Sequence, residues 1–244
     1  MTRDLDATQH FYGSVLGWSF RPGSLGPEFS VAMLDGAPVA GLGALAHRLG
    51  QPVSWTPYFY VDSADLAASR LQERGGTLAV GPLKFGPGRA VLAADLTGAV
   101  FGLWEGAETP GWKIGRASAP AWLELHTADP FTAAVFYGGL LGWASGEPGA
   151  CDVSYENDEI LVRSESSIVA GLRGPRPGDV PGAGDVGQPF WQVYFRVSDT
   201  DAIAGSATGA GGRVIAPPDD TWLGRVAELQ DPFGARFTVV ADIP

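Results

Sequence analysis

Glu124 and His126 stand two residues apart in the stretch WLELH, and on a β-strand that spacing sends both side chains out of one face. A carboxylate beside an imidazole is an acid–base pair, one group holding or taking the proton that the other releases. Trp122 precedes them on the same alternation, while Leu123, Leu125 and Thr127 fall on the other face. In WQVYFR, Gln192, Tyr194 and Arg196 alternate likewise. Arg196 could stabilise an oxyanion, or simply neutralise Glu124 in a buried ion pair. Earlier in the chain Thr56, Tyr58 and Tyr60 line up, with Gly102 and Trp104 two apart in FGLWE. Aromatic faces carrying a few polar groups are the make-up of a small-molecule pocket, and flat rings suit a planar, partly aromatic ligand. The competing reading is that the same rings simply fill a core. Trp222, a large apolar group in the acidic stretch PPDDTWLGR, is a candidate rim residue, and PLKFGPGR is the matching loop earlier on.

The rest of the composition narrows the setting. The chain has 244 residues, enough for two domains and a substantial core, and a formal net charge of −11. That sign argues against a nucleic-acid backbone as partner and leaves a neutral or cationic small molecule. Hydrophobic residues make up 45% of the chain, yet no apolar run reaches the roughly 18 residues of a membrane span. Arg3, Asp4 and Asp6 interrupt any apolar start, so no leader peptide is expected. Cys151 is the sole cysteine, which rules out an intrachain disulfide and suits a reducing cytoplasm. With Glu147 and Asp152 nearby and no histidine close in sequence, its thiol is poorly placed as a nucleophile and reads as packed. His10 belongs to a helix and His47 to a loop, where solvated side chains are expected.

The elements that must position these residues are written repeatedly. DLDATQHFYGSVLGW from Asp4 to Trp18 matches DPFTAAVFYGGLLGW from Asp129 to Trp143, each landmark displaced by 125 residues. Asp before the helix, Pro130 at its first position and glycines at its end (Gly138 and Gly139 in the second copy) predict a capped helix, with a return strand from LGW. A second pair of units matches at a displacement of 136: Tyr58 with Tyr194, Gly75 with Gly211, Asp95 with Asp231 and Gly98 with Gly234. Each complete unit reads strand, helix, strand, strand, strand. The expected fold is therefore α+β, with four βαβββ units in two cup domains. One domain spans 1–106 (units 1–50 and 53–106) and the other 121–244 (units 121–174 and 189–242), with 107–120 as linker. GPRPGDVPGAGDVGQP is a further loop, too rich in Gly and Pro for regular structure.

At the displacement of 125, Met1 stands opposite His126, so the first unit lacks its first strand. Three outcomes follow: a cup open to solvent, a neighbouring copy supplying the strand in a homodimer, or a start assigned too late. The expectation is a helix over roughly 4–15 followed by only three strands, with the better-formed site on the side of Trp122.

FYGxxLGW with a later DPFGARFTVV-type hairpin, inside this repeat, resembles the vicinal oxygen chelate superfamily of glyoxalase I, bleomycin resistance proteins and extradiol dioxygenases. Within it, the chain more nearly resembles the tandem glyoxalase-like proteins of actinomycetes, some labelled hydroxylases and some found beside aromatic polyketide pathways. It implies a divalent ion held by His or Gln on the first strands and Glu on the last strands. The matching positions here are Thr56, Trp122 and Gln192 on first strands, and Gly102, Thr238, 40–43 and 170–173 on last strands. Only Gln192 among them could coordinate, so no metal site is expected and no cofactor is predicted, although a divalent metal stays open. The leading expectation is a metal-free protein that binds a small aromatic or polyketide-like molecule. The alternatives are a lyase, isomerase or oxygenase using Glu124 and His126 or a divalent metal, and a partner-binding module with filled cups.

Overall fold

Asp4 opens the first helix by accepting a hydrogen bond from the Ala7 amide at 3.0 Å, as its place before an amphipathic run predicts. That helix, α1 (Leu5–Leu16), leads to β1 (Ser19–Pro22), β2 (Phe29–Leu34) and β3 (Ala37–Gly43). Next come β4 (Tyr58–Tyr60), α2 (Ala64–Glu73), β5 (Thr77–Phe85), β6 (Gly88–Ala94) and β7 (Val100–Glu105). The third stretch holds β8 (Trp122–His126), α3 (Pro130–Leu141), β9 (Asp152–Glu156), β10 (Glu159–Ser164) and β11 (Ser167–Arg173). The last holds β12 (Phe190–Arg196), α4 (Thr200–Gly209), β13 (Arg213–Thr221), β14 (Gly224–Gln230) and β15 (Arg236–Ala241). This computed structural model describes residues 1–23, 25–48, 50–106, 120–156, 158–165, 167–175 and 188–242.

The architecture is α+β. A helix followed by three strands recurs along the described chain, and a strand precedes the helix in each case but the first. Residues 1–4 form no strand. The Thr2 amide instead donates to the Gly43 carbonyl at 2.8 Å, beside the end of β3. Strands run in the orders β1-β2-β3, β4-β7-β6-β5, β8-β11-β10-β9 and β12-β15-β14-β13. In the three longer sets the first strand pairs in parallel with the last, and the remaining pairs are antiparallel.

By contact the chain divides into two units of interleaved pieces, and this corrects the consecutive division expected from sequence. One unit is drawn from Met1–Trp55 and Val193–Pro244, the other from Thr56–Thr109 and Trp122–Gln192. The expected linker at 107–120 lies, but for Pro120, outside the described residues, as do 176–187 of the second loop. The physical reason for interleaving is a buried hydrogen-bond relay present once per unit. In the first unit Tyr12 donates to Asp231 Oδ2 at 3.1 Å and accepts from the Trp55 indole at 2.9 Å. In the second unit Tyr137 donates to Asp95 Oδ2 at 3.1 Å and accepts from the Trp191 indole at 2.9 Å. The other oxygen of each aspartate takes amides of its own turn, those of Thr97, Gly98 and Ala99 or of Phe233 and Ala235. Each tyrosine also stacks on the tryptophan of its LGW, Trp18 at 5.4 Å and Trp143 at 5.7 Å. Burial, reinforced by the adjacent carboxylate, pushes both phenols well above their ordinary range, so they stay neutral donors.

Three local expectations need correction. α3 runs through Gly138 and Gly139 and stops at Gly142, whose φ of 76° is the left-handed conformation that a Cβ disfavours. No strand starts at the second LGW, because turns intervene until β9 at Asp152. The stretches read as rim loops are strand ends instead: PLKF closes β5 and PPDDT closes β13, leaving Trp222 in the turn that follows.

Tyr137→Phe removes a donor to a buried carboxylate and an acceptor for a buried indole together. Urea denaturation is expected to show a loss of about 2 kcal/mol for this substitution, and a similar loss for Tyr12→Phe. A change below about 0.5 kcal/mol in both would show that the relay does not hold together the pieces of each unit.

Candidate functional site

β8 alternates as the sequence predicts. Leu123 and Leu125 are buried on one face with their partners Ala170 and Leu172 of β11, and Trp122, Glu124 and His126 leave the other face. Parallel pairing sets Gly171 opposite Glu124 and Arg173 opposite His126, so Arg173 joins the acid–base pair. Glu124 is 3% exposed. Its Oε2 lies 2.7 Å from His126 Nε2 and accepts from Arg173 Nε at 3.0 Å. Arg173 Nη1 donates to the Gly174 carbonyl, and Nη2 stands 3.5 Å from His126 Nε2. The imidazole stacks on Phe190 at 4.5 Å, the rings inclined by 30°. Across the next strand pair, Glu159 stands opposite Arg173 in register and is also buried.

Burial by itself would raise the Glu124 carboxyl. The His126 hydrogen bond and charge, followed by the Arg173 guanidinium, outweigh it and hold the group at about 2. The buried carboxylate is therefore ionised at neutral pH, as a paired charge must be to tolerate that depth.

Arg196 is placed differently from its sequence reading. It is exposed and donates to Asp242 Oδ1 at 2.8 Å, while the arginine on Glu124 is Arg173. Sequence reasoning passed over Arg173, although a signal existed. The repeated AGL of β3 and β11 continues with Gly43 in one copy and Arg173 in the other. Gln192 and Tyr194 are buried, Tyr58 and Tyr60 are half-exposed at 50% and 49%, Trp104 is partly exposed, and Trp222 is exposed. His10 and His47 are exposed, as expected. The Cys151 thiol is raised by burial first and by Asp152 second, which keeps it protonated and inert.

Two of the positions that the family resemblance implies for an ion, Trp122 and Gly102, are a ring and a glycine covered by a ring. Trp122 lies over Gly171, where a Cβ would come within 2.5 Å of the indole. Tyr58 lies over Gly102, where a Cβ would collide with the phenol ring. Each pair takes one residue from a first strand and one from a last strand, and in each the glycine is what lets the ring lie down. An indole or phenol ring resting on glycine offers a divalent cation no set of hard donors, so these residues do not fit the ion. Among the described residues no group of three or more His, Cys, Asp and Glu could share a cation. A shallow, open depression of about 430 Å³ lies along α1 and β1, lined by Asp6, His10, Trp18 and Phe20 among others. It shares no residue with the Glu124 cluster and gathers no comparable chemistry.

Comparison with known proteins shows the fold and the family. The structure is similar to the Mn(II)-bound glyoxalase of Novosphingobium aromaticivorans, with a TM-score of 0.57 and 16% identity over 100% of this chain and 84% of that one. The 2,3-dioxygenase LapB of a Pseudomonas species is equally similar, with a TM-score of 0.57 and 13% identity over 98% and 88%. These likenesses show a fold shared with glyoxalases and 2,3-dioxygenases. Residues 122–240 match the glyoxalase-like domain family. CFP32 of Mycobacterium tuberculosis, whose name marks it as a candidate glyoxylase, is 32% identical over all of this chain and 92% of its own length. The anthracycline biosynthesis protein DauV of a Streptomyces species is 32% identical over 97% of this chain and 89% of its own. The chain belongs to the glyoxalase-like family. No helix among the described residues is long and apolar enough to cross a membrane.

The depressed carboxyl makes a pH prediction. A group held below its unfolded value of 4.5 contributes stability that is present above that pH and disappears as pH falls toward the folded value of about 2. Denaturation midpoints are expected to fall over this window, and Glu124→Gln to flatten the decline. An unchanged slope in that variant would mean that the carboxylate is not paired as described.

Proposed function

We propose that this chain binds a small, planar aromatic molecule of the aromatic-polyketide type without using a metal, in a sequestering or biosynthetic accessory role. The observation that carries this reading is a pair of glycine-backed rings at or beside the positions where the family resemblance implies an ion, Trp122 on Gly171 and Tyr58 on Gly102. The Tyr58 ring is pinned against Gly102 yet 50% exposed, so it remains open to stacking, whereas Trp122 is 3% exposed and packs as part of the buried face. The cluster of Glu124, His126 and Arg173 beside Trp122 supplies polar contacts for a phenolic or carbonyl oxygen. Support for the ligand class comes from relatives that carry anthracycline biosynthesis in their names. The net charge of −11 favours neither a nucleic-acid nor an anionic membrane partner.

A second reading, an enzyme of the lyase or isomerase kind, is favoured by one specific feature, the 2.7 Å contact between Glu124 and His126. It is the reading in which the same face carries out proton transfer as well as binding.

Intrinsic tryptophan fluorescence titrated with 1,4-dihydroxyanthraquinone, alongside elemental analysis of the purified protein, tests the proposal. Saturable quenching is expected, with Trp122→Phe weakening binding on the order of tenfold, and with metal far below one ion per chain. Silence across a panel of planar aromatics, or stoichiometric manganese, iron, nickel or zinc surviving purification, would overturn it.

A further inference from the structure

Helix α3 reads PFTAAVFYGGLL, with no charged residue, and only Thr132 and Tyr137 carry polar side-chain atoms. A helix that is apolar all round is ordinarily covered on every side. Here one side is covered and the other is not. Ala133, Phe136, Tyr137 and Leu140 are buried. Opposite them, Phe131, Ala134, Val135 and Gly138 recur at the i, i+3, i+4, i+7 spacing of a single stripe. Phe131 is 73% exposed and Val135 is 62% exposed, a contiguous apolar face of the kind that marks an interaction site. The first copy of the repeat shows that the fold does not require it. Displaced by 125 residues, the same stripe on α1 is Asp6, Gln9, His10 and Gly13, the residues that line the shallow depression there.

We infer that α3 is a homodimer contact, packed antiparallel against α3 of a second copy across a two-fold axis. The stripe is large at its start and small at its end, so it complements itself. An axis between Ala134 and Val135 sets Phe131 of one copy against Gly138 of the other, and Ala134 against Val135. Each large side chain then meets a small one. Gly138 has the room, since a Cβ built there would meet only the Trp143 carbonyl, at 3.6 Å. Charge favours the same occupant. Two copies of a chain with a net charge of −11 repel one another, and least where neither presents a charge, as along this stripe. At its rim the charges are opposite. Asp129 caps the start of α3, and the Thr132 amide and hydroxyl hold its carboxyl below the ordinary range, so it is ionised at neutral pH. Arg74 lies against Gly139 near the other end. Antiparallel packing therefore brings the Asp129 end of each helix to the Arg74 end of the other. Stripe and rim together offer on the order of 400 Å² per copy, about half of what a standard interface buries on each side, so the dimer is weak and reversible. It uses none of the residues assigned to ligand binding, so its failure and that of the binding reading are separate results.

Sedimentation equilibrium of the full chain, from about 1 µM to 1 mM, tests the inference. Reversible monomer–dimer association is expected, with a Kd on the order of 100 µM. Phe131→Glu places a carboxylate in the apolar contact and should weaken association roughly tenfold or more. Gly138→Leu fills the space that receives the other copy's Phe131 and should abolish association. Leu is the better helix former, so the thermal midpoint of this variant should not fall, which separates loss of the contact from loss of the fold. His10→Glu, at the α1 position matching Val135, should leave the dimer unchanged. A chain that stays monomeric up to about 1 mM overturns the inference, as does a dimer indifferent to both α3 substitutions. Assembly that continues past the dimer, or that is lost in His10→Glu, would mean a head-to-tail contact onto α1 and overturns it as well.

Discussion

The buried tyrosine of each FYGxxLGW motif governs how this chain folds, because a phenol removed from water must find partners for its hydroxyl. It finds them far away in sequence. Tyr12 reaches Asp231, and Tyr137 reaches Asp95, each also taking an indole N–H. An aspartate whose carboxylate closes its own turn through backbone amides has one oxygen left, and that oxygen is what the phenol uses. Leaving either group unpaired at that depth would cost about 1–3 kcal/mol, so piece is matched to piece by hydrogen bonding as much as by apolar contact. The interleaved division of the chain follows from this pairing.

With the helices committed to these cores, the opposite faces of the strands carry the buried polar groups and the glycine-backed rings. Two features on them depend on glycine and on strand register. Rings lie on Gly102 and Gly171, where any side chain would displace them. The Glu124 carboxylate is shared by His126 and Arg173 because parallel pairing of β8 with β11 sets Arg173 beside His126. A register slip of one residue would send Arg173 to the apolar face and leave a buried carboxylate without its cation.

Much of this was legible in the sequence. The helix caps, the repeats, the missing strand before α1 and the common face of Trp122, Glu124 and His126 all follow from local spacing, which strands and helices translate directly into direction. Pairing between distant strands was not legible. Arg196 alternates with Gln192 and Tyr194 as expected, yet Asp242, directly after β15, pairs with it, and β11 supplies Arg173 to Glu124. The rim loops were misread for a related reason. Gly and Pro signal a break locally, but hairpin partners such as β6 and β14 continue the ladder through them, with shifts of register that absorb the irregular residues. The grouping of units depended on which aspartate each tyrosine reaches, and no local pattern records that.

The central claim is that rings seated on glycine form the ligand surface of this glyoxalase-like chain. Indole ¹H–¹⁵N resonances, assigned by single Trp→Phe substitutions and followed while 1,4-dihydroxyanthraquinone is added, address it directly. The account predicts that the Trp122 resonance shifts progressively and saturably, while those of Trp55 and Trp191, engaged with the buried tyrosines, stay in place. Shifts confined to other tryptophans, with Trp122 unmoved at saturation, would contradict it.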